Sequence, residues 1–233
     1  MLKQVVLGLA VVVAVAAPAR ADLHYTLHTE ARQVPTADPV NPMFGMAGDI
    51  LMRTMFPDGA TDTTYWVVTD KGIRVELTKA NAIAPAGAIL LQLVDGAIIV
   101  LNPKERTFWK LNLPAMTPTI LTAMTRLNPQ AAVVHTGEFD TIAGVRAEHI
   151  TSTLTMDLPS PPPGLPPGMP TSIATTTDSW NSDQYASYAA LAKSTATMMG
   201  LGGLIPEGFM LKNVMRNSMM PGFEIESVVT GAL

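Results

Sequence analysis

The side chains that most often bind metals or move protons are few in this chain. The sequence has four histidines, His24, His28, His135 and His149, and no cysteine. On an extended strand His24 and His28 share a face, but they lie about 13 Å apart, too far to bind one metal ion together. The other two histidines fall in separate predicted strands. The sequence therefore predicts no metal site.

Catalytic arrangements are also missing from the sequence pattern. No serine lies in a G-x-S-x-G motif, and Ser160 and Ser218 fall in a predicted loop and strand. Glu224 and Glu226 share a face of the predicted last strand, a spacing typical of a solvated edge. We therefore expect a protein that is not an enzyme and that uses no cofactor.

Methionine is the unusual residue type, with 15 in the chain. The methionines form one cluster near the start and one near the end: Met43, Met46, Met52 and Met55, then Met198, Met199, Met210, Met215, Met219 and Met220. Core filling is the favoured interpretation. Thioethers also make adaptable apolar surfaces for ligands, and they bind Cu(I), so both of these alternatives stay open.

Composition narrows the class of protein further. Charged residues make up 15% of the chain, against about 25% in an average soluble domain. The formal net charge is −4 at pH 7, which argues against a nucleic-acid partner. Because there are no cysteines, a hydrophobic core rather than disulfides must stabilise the fold.

The first 21 residues have the features of a secretory signal. Lys3 precedes an apolar run from Val5 to Ala17, and the triplet Ala19, Arg20, Ala21 follows, as in a cleavage site. A run of this length is shorter than the roughly 20 residues that span a bilayer. We expect cleavage near Ala21, a location in the periplasm or outside the cell, no integral membrane segment, and a single mature domain at 22–233.

Residue alternation predicts mainly antiparallel strands. Leu23, Tyr25 and Leu27 alternate with polar residues, as in a half-buried strand. Two hairpins follow, one turning at Gly72, where we expect a positive φ, and one at Asp95-Gly96, a strong hairpin signal. Further strands are predicted at 107–113, 132–139, 145–158, 171–180, 208–219 and 223–229, for a total of about ten.

Three helices and one irregular segment interrupt these strands. The helices are predicted at 43–56, between Pro118 and Pro129, and at 183–199. Residues 159–170 contain seven prolines, so they are predicted to form an extended connection, with a protein partner at this loop as the alternative. The fold class is α+β, mainly antiparallel β: a strongly curved half-barrel sheet with helices covering its concave side.

Six short motifs together resemble one known family. They are Gly72–Glu76, Val94–Gly96, Leu101–Phe108, Thr136–Glu138, Ile142–Gly144 and Asp178–Trp180. This resemblance covers roughly residues 64–230. The family comprises exported bacterial proteins of unknown function related to the lipoprotein-localisation (LolA/LolB-like) superfamily. Its members often have a cysteine after the Ile-Ala-Gly turn, where this chain has Ala147, so a thiol-dependent role is not expected.

The resemblance implies a half-barrel with helices closing its mouth around an apolar cavity. We therefore expect a periplasmic protein that binds a lipid, an acyl chain or another apolar ligand as a carrier or sensor. The candidate cavity residues are Met43, Met46, Ile50, Met55, Trp109, Leu111, Met124, Tyr188 and Leu191. The alternatives are a structural or protein-interaction module without a ligand, and copper binding through methionine.

Overall fold

A computed structural model describes residues 22–35, 61–80, 84–112, 126–157, 171–189 and 206–231. The predicted signal at 1–21, the predicted helix at 43–56 and the proline-rich segment at 159–170 lie outside these residues. So do most of the helix between Pro118 and Pro129 and the second half of the helix at 183–199.

The described residues form one sheet of eleven strands, where the sequence predicts about ten. The strands are β1 (Leu23–Gln33), β2 (Thr61–Val68), β3 (Gly72–Leu77), β4 (Ile89–Leu93), β5 (Ala97–Asn102), β6 (Thr107–Asn112), β7 (Gln130–Ile142), β8 (Val145–Asp157), β9 (Ser172–Ser182), β10 (Phe209–Asn217) and β11 (Phe223–Val229). The first two strands are longer than predicted, because the alternation of side chains continues through polar residues.

The strand order is β6-β5-β4-β3-β2-β1-β11-β10-β9-β8-β7. Every neighbouring pair is antiparallel, which confirms the mainly antiparallel prediction. The first and last strands pair in the middle, and β6 and β7 form the two open edges. A twisted sheet of more than about ten strands rarely stays open without curling, so the sheet is open and curled.

Two apolar clusters form the core. The larger one joins Leu23 and Val68 to Phe209, Leu211 and Val229 from strands on both sides of β1. The smaller one contains Leu77, Ala84, Ala88 and Val100. The register aligns Leu23 with Val68 and continues the same face through Val75 to Val100. That side is the core face, and the other side is the opposite face.

The last strand does not lie at a solvated edge of the sheet, as the sequence predicts for Glu224 and Glu226. β11 lies between β1 and β10 at the middle of the sheet, and Glu224 is buried. Local alternation in the sequence cannot show which strand pairs with β1, because that pairing joins residues almost 200 positions apart. The two glutamates therefore lie within the sheet rather than on a solvated edge.

Two predicted hairpin turns have different outcomes. Asp95-Gly96 turns as expected, with Gly96 at a φ of +80° and its N–H donating to the Leu93 carbonyl. Gly72, in contrast, begins β3 in extended backbone, so the expected positive φ is wrong. Glycine is needed there because a Cβ would lie 2.3 Å from the Gln92 carbonyl oxygen.

The chain turns helical directly after β9. Asp183–Tyr185 form a 3-10 turn, capped by the Ser182 hydroxyl, which accepts from the Gln184 N–H, and residues 186–189 continue as helix. The predicted helix start at Asp183 agrees with this. Within the described residues, no helix has the length and apolar character to cross a membrane.

Candidate functional site

An aromatic group lies on the core face where β1, β2 and β10 come together. The Tyr25 and Trp66 rings stack with centroids 5.6 Å apart, and Phe209 meets Tyr25 edge-on at 5.3 Å. Register places Tyr25 directly opposite Trp66. Such pairs contribute about 0.5–1.5 kcal/mol beyond their burial, so the rings form a fixed wall.

The polar groups of this wall carry no charge. Trp66 Nε1–H donates to Thr64 Oγ1 at 2.7 Å, two residues earlier on the same strand. Burial raises the pKa of Tyr25 well above its ordinary value, so its hydroxyl stays neutral at every physiological pH. The wall is therefore uncharged and suits an apolar ligand.

A second part of the core face continues the apolar surface toward the β6 edge. Leu90, Ile98 and Trp109 pack against the smaller core cluster. Val75 packs against both clusters. The two clusters are thus parts of one apolar surface, and Val75 lies where they meet.

Many side chains of this surface are half-buried: they are neither fully buried nor fully exposed to solvent. The half-buried members are Tyr25, Leu27, Trp66, Val75, Leu90, Ile98 and Trp109. The fully buried residues of the two clusters lie among them. Apolar area left in contact with water costs about 25 cal/mol per Å² relative to burial, so covering this surface would be favourable.

The predicted cavity residues are only partly within the described chain. Trp109 lies on the core face opposite Val100, and Tyr188 packs against the larger cluster. Leu111 pairs with Ile98 through the β6 backbone. The remaining candidates, Met43, Met46, Ile50, Met55, Met124 and Leu191, lie outside the described residues and stay predictions.

Sequence reasoning missed the aromatic wall as a site. Tyr25 was visible as part of an alternating strand, but its contacts with Trp66 and Phe209 depend on the pairing of distant strands. The available signal was the placement of aromatic residues at inward positions of three separate strands. Without the strand order, that signal cannot be recognised as one cluster.

A polar cleft of about 440 Å³ lies between β7, β8 and the end of β9. His135 Nδ1 is 3.2 Å from Glu148 Oε1, and the Arg146 guanidinium lies 3.5 Å from the centre of the Phe139 ring. Asn181 donates to the Glu207 carbonyl, while its buried Oδ1 has no hydrogen-bond partner within the part of the chain described. This lining does not suit an acyl chain.

The opposite face carries a row of ion pairs across the middle of the sheet. Arg32 of β1 contacts Glu224 of β11, and Glu224 Oε2 lies 3.0 Å from Arg216 Nη2 of β10. Arg216 Nη1 then contacts Asp178 Oδ2 of β9 at 2.7 Å. Asp178 Oδ1 in turn lies 3.2 Å from His149 Nε2 of β8. Ion pairs and the His149–Asp178 hydrogen bond thus connect five adjacent strands on this face.

Two carboxyl groups in this row have lowered pKa values. Burial alone would raise the pKa of Glu224, but hydrogen bonds and charges from Arg32 and Arg216 outweigh it and lower the pKa. Burial opposes ionisation of Asp178 in the same way, and hydrogen bonds from Arg216, Thr151 and His149 lower its pKa overall. Both groups are therefore ionised at neutral pH, and their ion pairs lie on the face of the sheet away from the aromatic wall.

Comparison with solved structures gives a distant likeness. The chain is similar to the crystal structure of a LolA superfamily protein from Nitrosomonas europaea, with 10% sequence identity, 92% of this chain and 86% of that chain covered, and a TM-score of 0.29. No family model and no curated protein matches. At this similarity the likeness shows neither a family nor a function for this chain.

Proposed function

We propose that this protein binds an acyl chain or another extended apolar ligand on the core face of its sheet, as a carrier or sensor rather than an enzyme. The half-buried apolar and aromatic surface from Tyr25 to Trp109 is the observation that supports the proposal. An alkyl chain laid along it would remove the remaining apolar area from water, at about 0.8 kcal/mol per buried CH₂.

The charge distribution supports the same placement. The described ion pairs between strands at the middle of the sheet belong to the opposite face, whereas the wall formed by Tyr25, Trp66 and Phe209 is uncharged. A ligand with a polar group at one end would lie with its chain on this wall and its polar group toward solvent.

The proposed setting is the periplasm or the exterior of the cell, after removal of residues 1–21. The charged Lys3, the apolar run and the Ala-Arg-Ala triplet support this setting. Mass spectrometry of the protein purified from its native host tests it. We expect a mature chain that begins at Asp22, and a retained Met1 would contradict the export proposal.

Native mass spectrometry of detergent-free protein tests ligand binding. We expect adduct masses of lipid size, which organic extraction then identifies. Replacing Met46 or Ile50 with Trp should reduce the adducts if these predicted residues line the cavity. Bare protein from several expression hosts would favour the alternative, a structural or protein-interaction module without a ligand.

Copper binding through methionine is the other alternative. Among the described methionines, Met220 is buried in the core and Met210 is exposed on β10. We expect no tight Cu(I) binding in competition with a chromogenic chelator. Tight binding that is lost in a Met215→Leu, Met219→Leu variant would reverse this ranking.

A further inference from the structure

The opposite face carries a row of apolar residues near the β6 edge of the sheet, beside the exposed Lys110. The register aligns Ile89 with Leu101 and Leu101 with Phe108 across β4, β5 and β6. The next row aligns Leu91 with Ile99. Residues directly opposite one another in a sheet share a face, so these five side chains form one strip. It is called the edge strip below.

The edge strip has exposed apolar surface. Phe108 is 71% exposed, and the four aliphatic members are half-buried. The exposed phenylalanine continues a row of half-buried aliphatic residues, so the strip is contiguous apolar surface, the kind of surface at which interaction sites form when it is large.

The border of the edge strip is basic. Lys104, Arg106 and Lys110 are exposed on the β5–β6 hairpin that carries Phe108, with Glu105 as the acidic residue of the same hairpin. On the neighbouring strand β3, Arg74 Nη2 lies 2.7 Å from Glu76 Oε1. These two opposite charges add no net charge to the border. The hairpin from Asn102 to Lys110 thus has an excess of positive charge on a chain whose formal net charge is −4.

We propose that the edge strip docks onto an anionic lipid surface. Phe108 would enter the boundary between headgroups and acyl chains, while Lys104, Arg106 and Lys110 would contact anionic headgroups. Apolar residues bordered by Lys and Arg are the pattern of peripheral membrane attachment, and each basic residue near an anionic surface adds to the attraction.

A second copy of this chain fits the strip less well. A symmetric dimer would place the same surface of both copies together. Lys104, Arg106 and Lys110 would then lie near their own counterparts, and like charges in apposition are unfavourable. An anionic lipid surface provides the opposite charge instead.

Co-sedimentation of the full mature protein with vesicles tests the proposal. The vesicles contain phosphatidylcholine alone or with phosphatidylglycerol added. We expect binding to the anionic vesicles that weakens as salt is raised. The Phe108→Ala variant should bind about tenfold more weakly. The single variants Lys104→Gln and Arg106→Gln should each bind about fivefold more weakly.

Two matched controls separate the edge strip from general surface effects. Val134, 58% exposed on the other sheet edge, is replaced by Ala, and the exposed Arg126 is replaced by Gln. Both should bind vesicles like the parent. Equal binding to neutral and anionic vesicles, no binding to either, or equal losses in the control variants would overturn the proposal.

Sedimentation velocity provides the other decisive outcome. A concentration-dependent dimer that disappears in Phe108→Ala would assign the edge strip to self-association and overturn the membrane proposal. The inference is independent of ligand binding on the core face. Phe108→Ala should leave uptake of a fluorescent fatty acid unchanged, so a failure of one proposal is distinguishable from a failure of the other.

Discussion

Arg32 in the first strand and Glu224 in the last strand stand opposite each other in register, and their side chains form an ion pair. The Glu224 side chain is 6% exposed, and it also contacts Arg216 on its other side. The ion pair therefore links β1 and β11, the first and last strands, at the middle of the sheet.

Replacing Glu224 with Gln should therefore destabilise the fold. The change leaves Arg32 and Arg216 without their shared carboxylate, and charged hydrogen bonds contribute about 1.5–3 kcal/mol each. We expect the free energy of unfolding in urea to fall by about 2 kcal/mol. The matched control is Glu76→Gln, which breaks the exposed Arg74–Glu76 pair and should cost less than about 1 kcal/mol. An equal loss of unfolding free energy in the two variants would show that the buried ion pair stabilises the fold no more than the exposed one.

The same row predicts a loss of stability in acid. The pKa values of Glu224 and Asp178 lie below their ordinary values of 4.5 and 3.8. The unfolded chain therefore binds protons first as pH falls, so stabilisation present above the ordinary values is lost as pH falls through the lowered ones. Urea unfolding between about pH 6 and pH 3 should show a shallower decline in the Glu224→Gln, Asp178→Asn variant. An unchanged slope would contradict this.

Ala143 in the β7–β8 turn can be replaced by a residue that stabilises the turn. Ala143 and Gly144 adopt φ values of +50° and +79°, the type I′ pattern in which Asn-Gly is preferred. Ala143→Asn should raise the free energy of unfolding by about 0.5 kcal/mol. Gly144→Ala, with no atom within 4 Å of its new Cβ, should lower it by about 1 kcal/mol through backbone strain alone. Differential scanning calorimetry measures both, and a destabilised Ala143→Asn variant would refute the assignment.

Gly72 should tolerate no side chain for a different reason. A Cβ there would lie 2.3 Å from the Gln92 carbonyl oxygen of β4, so Gly72→Ala should separate β3 from β4 and cost more than about 2 kcal/mol. The control is Gly137→Ala, which has a φ of +74° and open space around its Cβ and should cost about 1 kcal/mol. Thermal unfolding that ranks the two variants in the reverse order would contradict the close approach.

The sequence predicts local features better than distant pairings. Asp95-Gly96 specifies its turn through the residues themselves, so the hairpin between β4 and β5 was predictable. The pairing of β1 with β11 has no local signal. For that reason Glu224 was predicted on a solvated edge, and the contacts of Tyr25 with Trp66 and Phe209 were missed.

Histidine shows the same division. His135 and His149 were correctly predicted in separate strands, yet each lies beside carboxylates that the sequence does not place near it. His135 contacts Glu148 of β8, and His149 contacts Asp178 of β9 while stacking on Trp180 at 4.7 Å. These contacts depend on register, which a strand pattern alone leaves open.

Titration with a fluorescent fatty acid tests apolar ligand binding on the core face most directly. The parent protein should bind it saturably. Val75→Trp, which fills the junction of the two core clusters, should weaken binding about tenfold or more. Val67→Trp, in the neighbouring strand but on the opposite face, is the matched control and should bind like the parent, with circular dichroism confirming that both variants are folded. Absence of saturable binding by the parent, or equal weakening by both substitutions, would contradict ligand binding on the core face.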